Sequence, residues 1–234
     1  MRYRCLILDH DDTAVRSTED IHYPSYLESM RRLRPGTRPL DVHAFLEKNF
    51  DPGIVAFLTD ELGMTAEELQ LEYRIWRSYT TSRVPAFFQG LIDFLMEYKR
   101  RGGKIAVISH SEEDVIRRHY REQTGGRLTP DCIMGWHDEE GKRKPSSYPV
   151  EAVLETLGLD ASEALVVDDL KPGVTMARAA GVTVAAAGWG HEVSSIAAQM
   201  REMCDVYLES VEQLRQYVLD DSGTGDSGVD DPGV

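Results

Sequence analysis

The stretch Leu6-Ile7-Leu8-Asp9-His10-Asp11-Asp12-Thr13 decides the fold. Its first three residues are a short apolar run of the kind that forms a strand buried on both faces. The run stops at two carboxylates spaced two residues apart. In α/β sheets, ligands bind in the crevice beyond the carboxyl ends of the strands, so Asp9 and Asp11 stand where chemistry is usually done. One carboxylate there can attack an electrophile while the other exchanges a proton with the leaving group. The same residue types also start helices as N-caps, so the pair acquires meaning only from what the rest of the chain places beside it.

Downstream of this strand the periodicity is helical. Tyr26, Leu27, Met30 and Leu33 recur at helical spacing until Pro35-Gly36, and further helices are expected over Val42–Asn49, Gly53–Leu62 and Ala66–Tyr79. Thr65-x-x-Glu68 is a capping box for the last of these. No strand-like run falls within residues 16–83, which predicts an all-helical insert. From Pro85 onward helices and apolar strands alternate. Strands are expected at Lys104–Ser109, Asp131–Gly135, Ala164–Asp168 and Val182–Ala187. Helices are expected at Leu91–Lys99, Glu112–Gln123, Tyr148–Leu157, Gly173–Ala180, Val193–Met203 and Val211–Leu219. That alternation implies βαβ units and a doubly wound, mainly parallel, Rossmann-like α/β sheet. The core would comprise residues 1–15 and 84–219, interrupted by the helical insert. Residues 220–234 carry Asp, Gly, Ser, Thr and Pro with only two valines, a composition expected to remain a disordered acidic tail.

The 234-residue chain has a formal net charge of −14. No basic field exists to displace counterions, which argues against a nucleic-acid partner. No apolar run is long enough to cross a bilayer, so no membrane partner is expected. The first residues lead directly into the strand, and Cys5, Cys132 and Cys204 lack any metal-binding spacing. A cytoplasmic protein with free thiols is the expectation. An acidic protein handling an anionic substrate would need a cation at its site.

Such a cation is available. In a parallel sheet, strand ends of one sense share one edge, which would gather Asp9, Asp11, Ser109 and the pair Asp168-Asp169, with Lys144 just before a helix. Their types suit phosphoryl transfer. Asp9 would be the nucleophile and Asp11 the acid and base. Ser109 would hydrogen-bond a phosphoryl oxygen, Lys144 would neutralise developing charge, and Asp169 would help hold Mg2+. Carboxylates without His or Cys are a hard-oxygen set that suits this ion.

The arrangement resembles the haloacid dehalogenase superfamily over residues 1–218. Asp9-x-Asp11-Asp12-Thr13 looks like its first motif and Ile108-Ser109-His110 its second. Lys144-Pro145, with Leu157-Gly158 beyond, is similar to the third, and Val167-Asp168-Asp169-Leu170-Lys171-Pro172-Gly173, running on to Ala179-Ala180-Gly181, to the fourth. Residues 16–83 are similar to the mobile cap of the phosphoglycolate phosphatase-like subgroup. The resemblance implies a Mg2+-dependent phosphatase, a monomer or homodimer, acting on a small phosphorylated metabolite through an aspartyl-phosphate. Asp9, Asp11, Ser109 and Lys144 would be catalytic, Ser109, His110 and Lys144 would contact substrate, and Asp9, Asp11, Asp168 and Asp169 would serve the metal. His110 stands where this subgroup more often has Asn. Asp168 occupies a place often filled by Gly or Glu, as a further metal ligand or as a neighbour of the ligands. A phosphomutase would use the same residues. A non-catalytic phospho-acceptor module is the remaining alternative, and retention of Asp9, Asp11 and Lys144 counts against it.

Other residues carry less. Ser109 with Glu112 also reads as a capping box. His43, His119 and His191 read as surface or packing residues. His22, Tyr23 and Tyr26 fit hinge packing better than a pocket lining. Arg74, Trp76 and Arg77 fit a solvated helix face with a buried indole.

Overall fold

Strand β1 (Cys5–Leu8) lies at the centre of the sheet, as an uninterrupted apolar run should. The structure is a computed structural model and describes residues 1–219, so the acidic tail expected at 220–234 lies outside the described residues. Beside β1 run β2 (Lys104–Ile108) and β3 (Cys132–Met134) on one side, and β4 (Ala164–Asp168), β5 (Thr183–Ala187) and β6 (Val206–Leu208) on the other. The order is β3-β2-β1-β4-β5-β6 and every pairing is parallel. The sheet is therefore the doubly wound one expected, with β1 at the point where the winding reverses. The short edge strand β6 was not anticipated; its three residues follow a helix too closely to show a period.

Both faces of the sheet are covered. Leu6, Leu8, Val107, Leu165 and Val167 point to one face, where they meet α5 (Leu91–Arg100), α6 (Glu113–Thr124) and α10 (Val211–Leu219). Their alternates Cys5, Ile7, Ala106, Ile108 and Val166 point to the other, against α7 (Tyr148–Leu157), α8 (Lys171–Ala179) and α9 (Ser194–Met203). Period-two alternation of apolar side chains with no polar face is what a two-sided burial requires.

Residues 16–83 form helices, with π-helical turns at Thr18–His22 and Phe57–Glu61. These helices are α1 (Tyr23–Leu33), α2 (Val42–Phe50), the single turn α3 (Ile54–Ala56) and α4 (Ala66–Ser82). They have a small core of their own, made by Tyr26, Met30, Phe45, Phe57, Leu58 and Met64. The Thr65–Glu68 capping box forms as read. Leu46 and Phe50 of α2 turn the other way and join the sheet's second core, so the helical segment rests on the sheet layer through α2.

Candidate active site

The site is assembled at the C-terminal ends of β1, β2 and β4. Leu8 is in register with Val107 and with Val167, so the three strands end side by side. Asp9 N–H still donates to Val167 O (2.9 Å), which fixes the first residue of the turn before the chain departs. The turn is tight. Asp12 adopts a φ of 54°, a left-handed conformation that Asp tolerates better than most residues. Its buried carboxylate accepts from Thr18 N–H (2.9 Å) and Thr18 Oγ1 (2.5 Å), which ties the turn to the first helical residues.

Lys144 supplies the cation. Its ammonium donates to Asp9 Oδ1 (2.6 Å) and Asp168 Oδ2 (2.5 Å), with all three side chains buried. Burial opposes the charge on Lys144, but Asp168 and Asp9 outweigh it and hold the ammonium above its ordinary value. One lysine does not balance the acids present. Asp9, Asp168 and Asp169 are all buried, with one oxygen from each lying within 4.8 Å of the others. Burial, only partly offset by Lys144, pushes Asp9 up to about 8. Burial and the charges of Asp9 and Asp168 raise Asp169 well above the carboxylate range. Three hard-oxygen donors with two charges left uncompensated are a fit for a divalent cation such as Mg2+. Asp169 is further held by the Thr13 hydroxyl, which donates to its Oδ1 (3.1 Å).

The Asp11 carboxylate points elsewhere, and among the described residues it is not part of the three-oxygen group. Oδ2 accepts from Ser109 Oγ (3.1 Å) and Ser111 Oγ (2.6 Å), while Oδ1 lies 3.2 Å from His22 Nε2. Burial alone would raise Asp11, but the hydrogen bond from His22, with help from Ser111, holds it well below the usual carboxylate range. His22 Nδ1 in turn accepts from Trp76 Nε1 (3.1 Å), and the two rings stack nearly parallel (6°). An accepting Nδ1 leaves the proton on Nε2, so the ring presents N–H to Asp11.

Ser109 is not a helix cap. Helix α6 begins at Glu113 with Glu112 at its N-cap, and Ser109 Oγ accepts from Ser111 N–H (3.0 Å) while it donates to Asp11. The next residue, His110, meets the Lys144 backbone through Nε2 (3.1 Å to Lys144 O), and burial with the Lys144 charge lowers its basicity. His110 also packs edge-on against Trp136 (5.8 Å), and Arg143 lies over that indole (4.3 Å).

The structure thus brings Asp9, Asp168, Asp169 and Lys144 into one cluster and Asp11, Ser109 and His22 into an adjoining one. Ser111 did not stand out in the sequence, and nothing in its spacing distinguishes it from any loop serine. His22 and Trp76 were read as hinge packing and a buried indole on a solvated face. The Trp76–His22 contact that orients the ring against Asp11 depends on how α4 packs on Thr18–His22, which no local pattern encodes. Arg77 of the same helix is likewise not simply solvated, since it pairs with Glu112 and Asp114 at the start of α6. His119 is buried, as packing would require, and it stacks on His10 (Nε2 to Nδ1, 3.0 Å).

Known proteins share this architecture. The family model of haloacid dehalogenase-like hydrolases matches residues 6–187. A phosphoglycolate phosphatase of Rhodospirillum rubrum is 38% identical over 110 residues, 47% of this chain and 45% of that protein. The chain thus aligns with under half the length of that relative. The pyrophosphatase PpaX of Bacillus velezensis is 23% identical over 189 residues, 80% of this chain and 84% of that one. A haloacid dehalogenase-like family hydrolase from Streptococcus pneumoniae superposes with a TM-score of 0.72 at 17% identity, covering 92% of this chain and 98% of that chain. CbbY from Rhodobacter sphaeroides, solved with phosphate, gives 0.63 at 18% identity, covering 89% and 94%. With the family model spanning most of the chain and the same fold recurring in solved relatives, this chain belongs to the haloacid dehalogenase-like hydrolases.

Proposed function

We propose that the protein is a Mg2+-dependent phosphatase that cleaves a small phosphate monoester through an aspartyl-phosphate on Asp9. The observation that carries this reading is the adjacency of two unlike carboxylates. Asp9 is paired with Lys144 beside two further acids, while Asp11 is bonded to hydroxyls and a histidine N–H. Environments that push two carboxyls apart are how one site obtains both a nucleophile and a proton carrier. Relatives named phosphoglycolate phosphatase and pyrophosphatase agree with the reaction class.

In the first step an Asp9 oxygen attacks phosphorus, and the bond to the leaving oxygen breaks as Asp11 delivers its proton there. In the second step water attacks the same phosphorus, Asp11 takes a proton from that water, and the Asp9 carboxylate is released with inorganic phosphate. The hydrogen bonds that now hold Asp11 ionised suit the second step. A phosphate dianion that draws the Ser109 hydroxyl to itself removes one of them, and its charge raises the proton affinity of Asp11 for the first. Ser109 and Lys144 bind the non-bridging oxygens. Asp9 and Asp169, with Asp168 beside them, would hold Mg2+, which supplies charge neutralisation for the phosphoryl oxygens. The helical segment over the turn excludes competing water.

Replacement Asp9→Asn tests the core of this reading. The fold should persist and release of inorganic phosphate from p-nitrophenyl phosphate should fall at least about a thousandfold, since an amide is a far poorer nucleophile. Turnover near that of the unmodified protein would exclude the aspartyl-phosphate route.

A further inference from the structure

One strip of α4 faces the site without serving either carboxylate cluster directly. Glu72, Tyr73, Trp76 and Arg77 lie at spacings that place them on one side of that helix. Trp76 touches His22, whose other ring nitrogen meets Asp11, and the Tyr73 hydroxyl donates to Glu112 in the loop that follows Ser109. On the phosphatase reading the leaving oxygen of a phosphate monoester would sit opposite Asp9 and beside Asp11. The remainder of the substrate therefore extends from Asp11 toward this strip.

The strip has a definite character. Glu72 is half-buried, lies near His22, and makes no hydrogen bond or ion pair among the described residues. Tyr73 exposes 48% of its surface although its hydroxyl is engaged, so the ring is open. It packs on Trp76 at 5.8 Å, which joins two π-faces beside an unpaired carboxylate. Neither arginine of α4 offsets this. Arg77 is engaged by Glu112 and Asp114, and Arg74 turns to the opposite side, where it lines a cleft with Glu28, Arg32 and Ser78. A carboxylate on the substrate's far end would meet Glu72, with neither arginine of α4 free to receive it. An ammonium would meet a carboxylate and two aromatic faces, the combination that recognises organic cations.

From this juxtaposition we infer that Glu72, with Tyr73 and Trp76, selects a leaving group bearing an ammonium, so that the substrate is a phosphorylated amino alcohol. The inference rests on the phosphatase reading and adds the class of ester that the site takes. Burial raises the Glu72 carboxyl, a cost that a bound cation would relieve.

Three esters of matched size separate the cases: ethanolamine phosphate, 2-hydroxyethyl phosphate and 2-phosphoglycolate, which differ in the terminal ammonium, hydroxyl or carboxylate. With Mg2+ present, kcat/KM for the ammonium ester should exceed that for the carboxylate ester by about tenfold or more, with the hydroxyl ester between them. In Glu72→Gln the ammonium-to-hydroxyl ratio should collapse toward one. In Glu72→Lys the order should reverse in favour of 2-phosphoglycolate, a gain that a misfolded variant cannot produce. Equal or better turnover of 2-phosphoglycolate by the unmodified protein would overturn the inference, as would a ratio that Glu72→Gln leaves unmoved. If p-nitrophenyl phosphate and all three esters go unhydrolysed, the phosphatase reading itself falls, and the inference with it.

Discussion

Asp11 receives hydrogen bonds from Ser109, Ser111 and His22, none of which is hydrogen-bonded to Asp9 among the described residues, so the two acids can be tested apart. On the proposed mechanism an alkoxide, a poor leaving group, needs the Asp11 proton, whereas p-nitrophenolate departs without one. Asp11→Asn should slow formation of the aspartyl-phosphate most for alkyl phosphates and far less for p-nitrophenyl phosphate, measured in single turnovers. Equal slowing for both would mean that Asp11 works through loop geometry and carries no proton. Lys144 makes a different prediction, of stability. Lys144→Met removes the ammonium that faces two buried carboxylates and should cost about 3–5 kcal/mol in urea unfolding without divalent metal. A cost under about 1 kcal/mol would show that the acids take up protons in place of the lysine. At this scale the sequence made Asp9, Ser109, Lys144 and Asp169 legible, because each sits at a strand end or helix start that a parallel sheet must bring to one edge. It could not reveal Ser111 or His22 as partners of Asp11, or Trp76 behind His22, since Ser111 has the spacing of any loop serine and the His22–Trp76 contact forms only when α4 packs on Thr18–His22.

Among the elements, α8 carries the narrowest constraint. Its first turn passes so close to β4 that a Cβ at Gly173 would overlap the Asp168 carboxylate, the group that receives Lys144 and also accepts from Leu170 N–H (2.9 Å). The clash shows why the stretch Lys171-Pro172-Gly173 needs a glycine at its end. Gly173→Ala must displace either the helix or Asp168. It should lower stability by about 1–3 kcal/mol and cut kcat more than a neutral change elsewhere on α8 such as Arg178→Lys. Unchanged kcat and an unchanged melting temperature would mean that the helix start yields freely. Strands β1, β2, β4 and β5 and the long helices were all legible from apolar runs and 3.6-residue spacing. The edge strand β6 was not, because three residues, two half-buried and one buried, carry no readable period. The π-helical turns were hidden too, since their extra residue leaves the apolar spacing nearly unchanged.

For the whole molecule, acid response is set by opposing buried groups. Burial lowers His10 to about 4 and His119 to about 3, so both rings are neutral in the folded protein. Unfolded histidine titrates near 6.5, so as pH falls the unfolded chain takes up these protons first. The stability that the pair contributes is complete above about 6.5 and is lost as pH drops from there toward 4. Asp9 runs the other way, since a carboxyl raised to about 8 favours the folded state as pH falls through that value. A variant comparison isolates the histidine. His119→Gln should shrink the loss in unfolding free energy between pH 7 and pH 5 by about 2 kcal/mol, and an unchanged loss would remove the ring from this role. The buried acids also predict the metal response. Activity should vanish with EDTA and return with Mg2+, and full activity without divalent ions would sink the metal assignment. The net charge of −14 sharpens that expectation, because a substrate anion approaching so acidic a protein gains from a cation at its destination.

The chain's three tryptophans each touch a different part of the site. Trp76 lies on His22, Trp136 lies beneath Arg143 next to His110, and Trp189 donates to Thr13 O (3.0 Å) behind the Asp9–Thr13 turn. Indole emission responds to neighbouring charge and hydration, so the protein has a built-in optical probe on each side of its chemistry. Variants that keep one indole and replace the other two with Phe would let an observer follow each of these surroundings separately as substrate or metal binds. No dye, label or coupled assay would be required.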